Sequence, residues 1–105
     1  MPKTAANKSA KTRTRPYDVA EHLRTPEEMA AYLDAWLDEA PDDAAGIARA
    51  LGDIARAKGM TQVAKDAGLS RESLYRALSA EGNPSLATVL KVARALGVRL
   101  HAEAA

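Results

Sequence analysis

The residues best suited to chemistry lie in a short polar run between residues 70 and 77. The run comprises Arg71, Glu72, Ser73, Tyr75 and Arg76. Guanidinium, carboxylate and hydroxyl groups make the hydrogen bonds that distinguish base edges in the major groove of a DNA duplex. Gln62 and Ser70 precede the run and could bond to phosphates beside that groove. We therefore predict that the run reads bases while Gln62 and Ser70 lie near the backbone.

The elements that would position these side chains are two short helices separated by a turn. The stretch TQVAKDAGLSRESLYRAL, from Thr61 to Leu78, carries apolar residues at helical spacing on both sides of Gly68 and Leu69. Gly68 can adopt the positive φ of a helix end, and Ser70 is suited to cap the second helix. We predict a helix-turn-helix that presents the polar run to a duplex. An ordinary helical hairpin with a solvated charged face is the alternative.

Three further helices are predicted from their caps and apolar periodicity. The predicted spans are, in order, from the Thr25 cap to about Ala40, from the Asp42–Asp43 pair to Lys58, and from the Ser85 cap to Gly97. Thr25 and Glu28 have the spacing of a capping box, with Pro26 at the first helical position. Trp36 lies on the apolar stripe of the first of these helices. We predict that Trp36 is a core residue rather than a surface on which a ligand stacks.

The C-terminal residues alternate in polarity. Val98, Leu100 and Ala102 are separated by charged or polar residues, which is the pattern of a short strand. An unpaired strand is marginal, so this one would have to pair with another segment or another chain. We predict an all-α, five-helix domain over residues 16–105. Within it, residues 16–58 hold the acidic N-terminal helices, 59–97 the helix-turn-helix and closing helix, and 98–105 the tail.

Composition narrows the class of protein. The 105 residues suit a single domain, and the absence of cysteine excludes disulfides, zinc fingers and thiol catalysis. No apolar run approaches the roughly 20 residues that span a bilayer, and the N-terminal sequence lacks the hydrophobic region of a signal peptide. We therefore expect a soluble, cytoplasmic protein.

The net charge of +1 conceals a strong segregation along the chain. Residues 1–15 carry five bases and no acid, and we predict that they form a flexible basic tail. That tail could touch phosphates or serve only as a solubilising leader. Residues 16–43 carry nine acids against Arg24, a net charge of −8, and residues 44–105 carry nine bases against five acids, a net charge of +4. Two surfaces that face two different partners would explain this division.

Residues for catalysis or metal binding are not apparent. His22 and His101 lie near opposite ends of the chain, and neither stands at ligand spacing from a second candidate. Asp42 and Asp43 are better explained by a favourable interaction with a helix N-terminus than by acid–base chemistry. The chain also lacks a glycine-rich phosphate loop. We predict that the protein is not an enzyme and needs no cofactor or metal.

Residues 56–100 resemble the helix-turn-helix module of the lambda-repressor and Cro-like family. The matching residues are Thr61-Gln62, Ala64, Gly68-Leu69-Ser70, the Asn83-Pro84-Ser85 loop and Ala95-Leu96-Gly97. The family usually has two more residues between its Thr-Gln pair and its Leu-Ala pair. Here, either the first helix begins late or Gln62 does not occupy the family's phosphate-contacting position.

A narrower resemblance covers residues 16–100. Tyr17-Asp18-Val19-Ala20, ALGDIARAKGMTQVAKDAGLSRESLYRALSAEGNPS and ATVLKVARALGVRL resemble the HigA-like addiction-module antidotes, which are antitoxins of bacterial toxin–antitoxin operons. The resemblance implies a homodimeric antitoxin that represses its own promoter. It also implies a RelE/ParE-superfamily (HigB-like) toxin as partner, typically an mRNA-cleaving ribonuclease.

The acidic segment is the predicted toxin contact. The predicted contact residues are Tyr17, Asp18, Glu21, Leu23, Glu27 and Glu28. Opposite charge would speed the encounter with a basic ribonuclease, and the apolar residues would hold the complex. A free-standing repressor is the alternative, in which the acids only solvate the first helix. A further alternative is a protein that binds only other proteins, in which the helix-turn-helix face would have no function.

Overall fold

Side-chain caps begin four of the five α-helices in the computed structural model, which describes residues 19–79 and 81–105. A short 3-10 helix comes first and five α-helices follow. They are the 3-10 helix Val19–His22, α1 Pro26–Glu39, α2 Ala44–Lys58, α3 Met60–Ala67, α4 Arg71–Ala77 and α5 Leu86–Leu96. No strand occurs within the two described ranges, so the predicted all-α, five-helix fold is confirmed. The predicted basic tail, residues 1–15, lies outside the described residues.

The N-terminus of α1 is closed by the predicted capping box. Thr25 Oγ1 accepts a hydrogen bond from the Glu28 backbone N–H at 3.1 Å, and Glu28 Oε1 accepts from the Thr25 N–H at 3.0 Å. The same carboxylate oxygen accepts from the Arg24 N–H at 2.7 Å. These backbone bonds, with that from Arg24 the strongest, lower the pKa of Glu28 below its ordinary value of 4.5.

Glu28→Gln is expected to flatten the dependence of stability on acid pH. Because its pKa is lower in the folded than in the unfolded chain, Glu28 stabilises the fold above the ordinary pKa of 4.5. That contribution is lost as pH falls through the folded pKa. Circular-dichroism melting at a series of pH values measures it. Glu27→Gln, which removes the same charge from the same turn, is the control, and equal pH profiles for wild type and Glu28→Gln would contradict the assignment.

The α1–α2 pair packs around Trp36 and Gly46. Asp43 caps α2 by accepting a hydrogen bond from the Gly46 N–H at 2.8 Å. A Cβ added at Gly46 would overlap both the Asp43 carboxylate and the six-membered ring of Trp36. Trp36 is half-buried, and the Arg49 guanidinium carbon lies 5.9 Å from its ring centroid. The predicted core position of Trp36 is therefore only partly correct, since Arg49 rather than an apolar side chain flanks one face.

The core is aliphatic and draws on every helix. Its largest fully buried side chains are Ile54, Leu74, Leu96, Val63 and Val92. The closest packing joins α3 to α5 and α1 to α2, while the 3-10 helix packs on α2. Leu23, which follows the 3-10 helix, is only 6% exposed and belongs to this cluster. No helix in the described part of the chain is both long and apolar enough to span a membrane.

The predicted C-terminal strand does not form. Residues 98–105 have no regular secondary structure, and Val98 packs against the core. Val98 and Leu100 line a groove whose other wall is α1, formed by residues that include Leu33 and Leu37. Backbone groups within a helix are already hydrogen bonded to one another, so α1 offers no edge with which a strand could pair. Only Val98 of this segment packs on the core, and Leu100 and Ala102 are exposed, so the alternation of residues 98–103 is not matched by alternate burial.

Candidate nucleic-acid interface

The predicted turn between α3 and α4 is confirmed in detail. Gly68 has φ 73° and ψ 31°, and its N–H donates to the last turn of α3. The Leu69 N–H donates to the Ala64 carbonyl at 2.9 Å, and Leu69 packs against the core. Ser70 Oγ then accepts from the Ser73 N–H at 2.9 Å and caps α4. A phosphate contact by Ser70 would have to coexist with this cap, and it stays a prediction.

The start of α3 settles one alternative left open by the sequence. The helix begins at Met60, before Thr61, so the suggestion that it begins late is wrong. Gln62 therefore lies in its first turn, exposed, and its Nε2 donates to Asp66 Oδ1 at 2.9 Å. The alternative that remains is that Gln62 does not occupy the family's phosphate-contacting position, and its amide group is also engaged by Asp66. A phosphate contact by Gln62 stays a prediction.

Helix α4 turns its polar residues to solvent because Leu74 anchors the opposite side. Leu74 is fully buried and Leu78, just after the helix, is nearly so. The exposed side chains of the helix are Arg71, Glu72, Tyr75 and Arg76. Ser73 is half-buried, and its N–H is engaged by the cap. The structure thus brings four of the five predicted base-reading residues together on one accessible helix.

Arg71 and Tyr75 form a pair on this helix. Arg71 Nη2 donates to Tyr75 Oη at 3.4 Å, and its guanidinium carbon lies 5.3 Å from the tyrosine ring centroid. The four-residue spacing makes them neighbours on the helix surface. The contact favours an extended, oriented guanidinium, which is the form that can bond to two acceptors of a guanine edge.

A groove of about 760 Å³ adjoins Arg71 and Tyr75. Its walls include Gln62 from the start of α3, together with Ala20 and Glu21 from the 3-10 helix. Sequence reasoning placed Glu21 with the acidic segment and did not foresee that it lies beside the polar run. Packing of the 3-10 helix on α2 brings the two predicted surfaces to one place.

A second, smaller groove of about 340 Å³ also adjoins Tyr75 and shares Arg56 and Met60 with the larger groove. Arg49 and Arg56 of α2 line it, and Asp53 between them accepts two bonds at 2.7 Å, one from Arg56 Nη2 and one from the Tyr32 hydroxyl. Burial, followed by the bond to Asp53, raises the pKa of Tyr32 to about 12. Sequence analysis missed these two arginines because they precede the helix-turn-helix, although their seven-residue spacing was visible.

The structure describes four of the six predicted toxin-contact residues. Tyr17 and Asp18 lie outside the described residues. Leu23 is buried in the core of this chain, so its side chain is not available to a partner, and its predicted contact role is withdrawn. Glu21 and Glu27 are exposed, whereas Glu28 uses its carboxylate for the helix cap.

Leu37 of α1 and Leu100 of the C-terminal segment are exposed apolar residues that line one groove. They are 41% and 40% exposed and line the groove of about 380 Å³ between α1 and the C-terminal segment. Asp34 lines the same groove. Across residues 19–79 and 81–105, His, Cys, Asp and Glu side chains form no cluster of three that could hold a metal.

Comparison with known sequences identifies the family. Residues 13–104 match the family described as "Probable addiction module antidote protein". The chain belongs to this family. It is also similar to a protein of Haemophilus influenzae described as uncharacterized, with 53% identity over 87 residues that cover 83% of this chain and 88% of that protein. No solved structure matches the chain.

Membership of an antidote family implies a cognate toxin as partner. One region of the chain must therefore bind a protein, in addition to whatever role the helix-turn-helix has. The exposed acids and the groove lined by Leu37 and Leu100 lie on α1 and the C-terminal segment, whereas the polar run lies on α4. Apart from Glu21, which lies beside Arg71 and Tyr75 in the larger groove, the described surface has separate candidates for the two tasks.

Proposed function

We propose that the chain neutralises a RelE/ParE-superfamily (HigB-like) toxin and represses its own operon by sequence-specific DNA binding. The family supports a toxin partner in general. The observation that carries the DNA-binding part is the exposure of Arg71, Tyr75 and Arg76 on a capped helix anchored by Leu74. A short helix presented after a tight turn has the size to enter the major groove of a duplex.

The base-reading residues are Arg71, Glu72, Tyr75 and Arg76, with Ser73 close to the helix surface. Arg71 and Arg76 each suit a guanine, because a guanidinium bonds to two acceptors on its major-groove edge. Gln62 and Ser70 lie at the starts of the two helices, where backbone phosphates would pass. The basic tail, residues 1–15, remains a candidate for further phosphate contacts.

The DNA-binding form is proposed to be a homodimer, because one short helix reads only a few base pairs. Two copies related by two-fold symmetry would place two α4 helices about 34 Å apart on a palindromic site. Leu86 and Leu90 lie one turn apart on α5 and are 71% and 50% exposed, which makes them a candidate contact surface. The segment from Val98 to Ala102 stays a second candidate, although it packs on α1.

Sedimentation of two variants shows which of the two candidate surfaces forms the dimer contact. Leu86→Ser with Leu90→Ser is expected to yield a monomer if α5 forms the contact, because a dimer would bury both leucines. Deletion of residues 98–105 is expected to yield a monomer if the C-terminal segment forms the dimer contact. Leu37→Ser, another exposed leucine on a different helix, is the control. A full dimer in both variants would exclude both surfaces.

The toxin-binding surface is proposed to be α1 with the preceding 3-10 helix. The exposed acids of this surface are Glu21, Glu27, Glu28, Asp34, Asp38 and Glu39, of which Glu28 also caps α1. Leu37 and Leu100 supply the apolar contacts that Leu23 cannot. A ribonuclease that grips RNA phosphates presents a basic surface, so the acids would steer its approach and the leucines would be buried on contact.

The test uses the neighbouring gene. A short adjacent reading frame for a basic protein is expected to arrest bacterial growth when expressed alone and to be harmless when this chain is co-expressed. The pair is expected to co-purify, and the chain is expected to repress a reporter behind the operon's promoter. Absence of any complex would refute the toxin assignment, whereas an unrepressed reporter would refute only the DNA-binding part.

A further inference from the structure

Two arginines on α2 form a basic row beside the reading helix. Arg49 and Arg56 are seven residues apart, so they lie on the same side of the helix, about 10 Å apart along its axis. Both line the groove that α2 forms with Tyr75. We propose that Arg49 and Arg56 bind phosphates of the DNA strand that borders the major groove entered by α4. This inference rests on the proposed DNA binding by α4.

The two guanidinium groups are oriented by neighbouring side chains. Asp53 accepts from Arg56 Nη2 through one carboxylate oxygen and from the Tyr32 hydroxyl through the other, both at 2.7 Å. Tyr32 belongs to α1, so this network ties Arg56 to two helices. Arg49 lies over the Trp36 ring, with 5.9 Å between its guanidinium carbon and the ring centroid. A side chain already held in one direction loses less conformational entropy when it binds.

The position of the groove selects a phosphate backbone as its ligand. Tyr75 of α4 lines both grooves, and so does Arg56 of α2. A duplex that receives α4 in its major groove therefore brings the phosphates of one strand towards α2. Guanidinium groups match phosphate oxygens in geometry and charge. Contacts of this kind fix the orientation of a reading helix and carry no sequence information themselves.

The balance of charge in the groove is consistent with an anionic ligand. Among the residues that line it, two are arginines and only Asp53 is acidic. The Asp53 carboxylate is bonded on both oxygens, and the Arg56 side chain remains 41% exposed. The larger groove has the same balance, with Arg56 and Arg71 against Glu21. Because Arg56 lines both grooves, a phosphodiester strand that passes along Tyr75 would meet this arginine in either one.

The test compares salt dependence of DNA binding by full-length variants. Arg49→Gln with Arg56→Gln is compared with Lys58→Gln and Lys91→Gln, which remove the same charge from exposed residues that line neither groove and are not among the proposed dimer contacts. The probes are a duplex of about 30 bp from the DNA upstream of this gene, long enough for two half-sites, and a scrambled duplex of the same composition. Affinities are measured by fluorescence anisotropy at several salt concentrations.

Loss of two phosphate contacts is expected to reduce the slope of log affinity against log salt by about 1.8 per bound protomer. For a dimer on two half-sites the change in slope is about 3.6, so between about 50 and 200 mM salt the affinity of the Arg49/Arg56 variant should fall about 150-fold less than that of the wild type. The ratio between upstream and scrambled duplex should not change. The Lys58/Lys91 control should keep the wild-type slope.

An unchanged slope in the Arg49/Arg56 variant would overturn the inference, and so would a changed preference between the two duplexes. A wild type that binds both duplexes equally would instead refute sequence reading by α4. Melting curves check that the variants fold. Arg49→Gln alone leaves the Arg56–Asp53 bond intact and is expected to reduce the slope by about 0.9.

Discussion

Replacing Arg71 and Arg76 with alanine is expected to remove most of the preference for operator over unrelated DNA. Each guanidinium that bonds to a guanine edge contributes about 1–3 kcal/mol of discrimination, which corresponds to roughly 5- to 150-fold per residue. Both side chains are exposed on α4, so their removal should leave the core intact. Affinities for operator and scrambled duplexes, measured at one fixed salt concentration, give the result directly.

Two control variants identify which contact is responsible for any loss of the preference for operator DNA. Gln62→Ala is expected to weaken binding to both duplexes alike, because a phosphate contact does not depend on sequence. Tyr75→Phe keeps the ring under Arg71 and removes only the hydroxyl that accepts its bond, so it should reduce the preference less than Arg71→Ala. If the double alanine variant keeps both its affinity and its preference, α4 does not read the bases.

Neutralising the exposed acids of α1 is expected to slow association with the toxin. Glu27→Gln with Asp34→Asn removes two charges from exposed positions, whereas Glu28 is left unchanged because it caps the helix. Charge steering acts on the association rate and weakens with salt, so the loss should be largest in dilute buffer. Surface plasmon resonance with the protein encoded by the adjacent gene measures both rates.

Replacing the leucines of the groove between α1 and the C-terminal segment should change the dissociation rate of the toxin complex. Leu37→Ala with Leu100→Ala is expected to speed dissociation with little change in association, because short-range packing is lost only after the encounter. Glu72→Gln with Glu81→Gln removes the same charge from the other half of the chain and should change neither rate. Unaltered binding by both α1 variants would leave the helix-turn-helix region as the contact.

Substitution is preferable to deletion of residues 1–43, because the deletion would also remove the buried core residues Leu23, Met29 and Leu33.

The helix boundaries could be predicted because each depends on neighbouring residues. Thr25 and Glu28 form the expected capping box, Ser70 and Ser85 cap the helices they precede, and Gly68 has the left-handed backbone that ends α3. Such interactions span only a few residues, so the sequence contains nearly all the information that decides them.

The positions that residues take in the tertiary structure were harder to predict from the sequence than the helix boundaries. The short apolar pattern around Leu23 fitted a partner contact as well as a core position, and only its packing on the other helices decided for the core. The alternation after Gly97 fitted a strand, but only Val98 packs on the core and Leu100 and Ala102 are exposed, so the pattern does not correspond to a buried face. Nothing local to Arg49 or Arg56 indicates that they lie beside Tyr75, since that depends on how α2 and α4 are arranged.

Gly46 has a consequence for how this sequence can vary. The space that a Cβ would occupy is already shared by the cap of α2 and the ring of Trp36. Any larger residue must displace one of them, so a change at position 46 cannot be neutral unless position 36 or 43 changes with it. In an evolving lineage these three sites are therefore expected to drift together, as one unit of covariation, while the exposed residues around them vary independently.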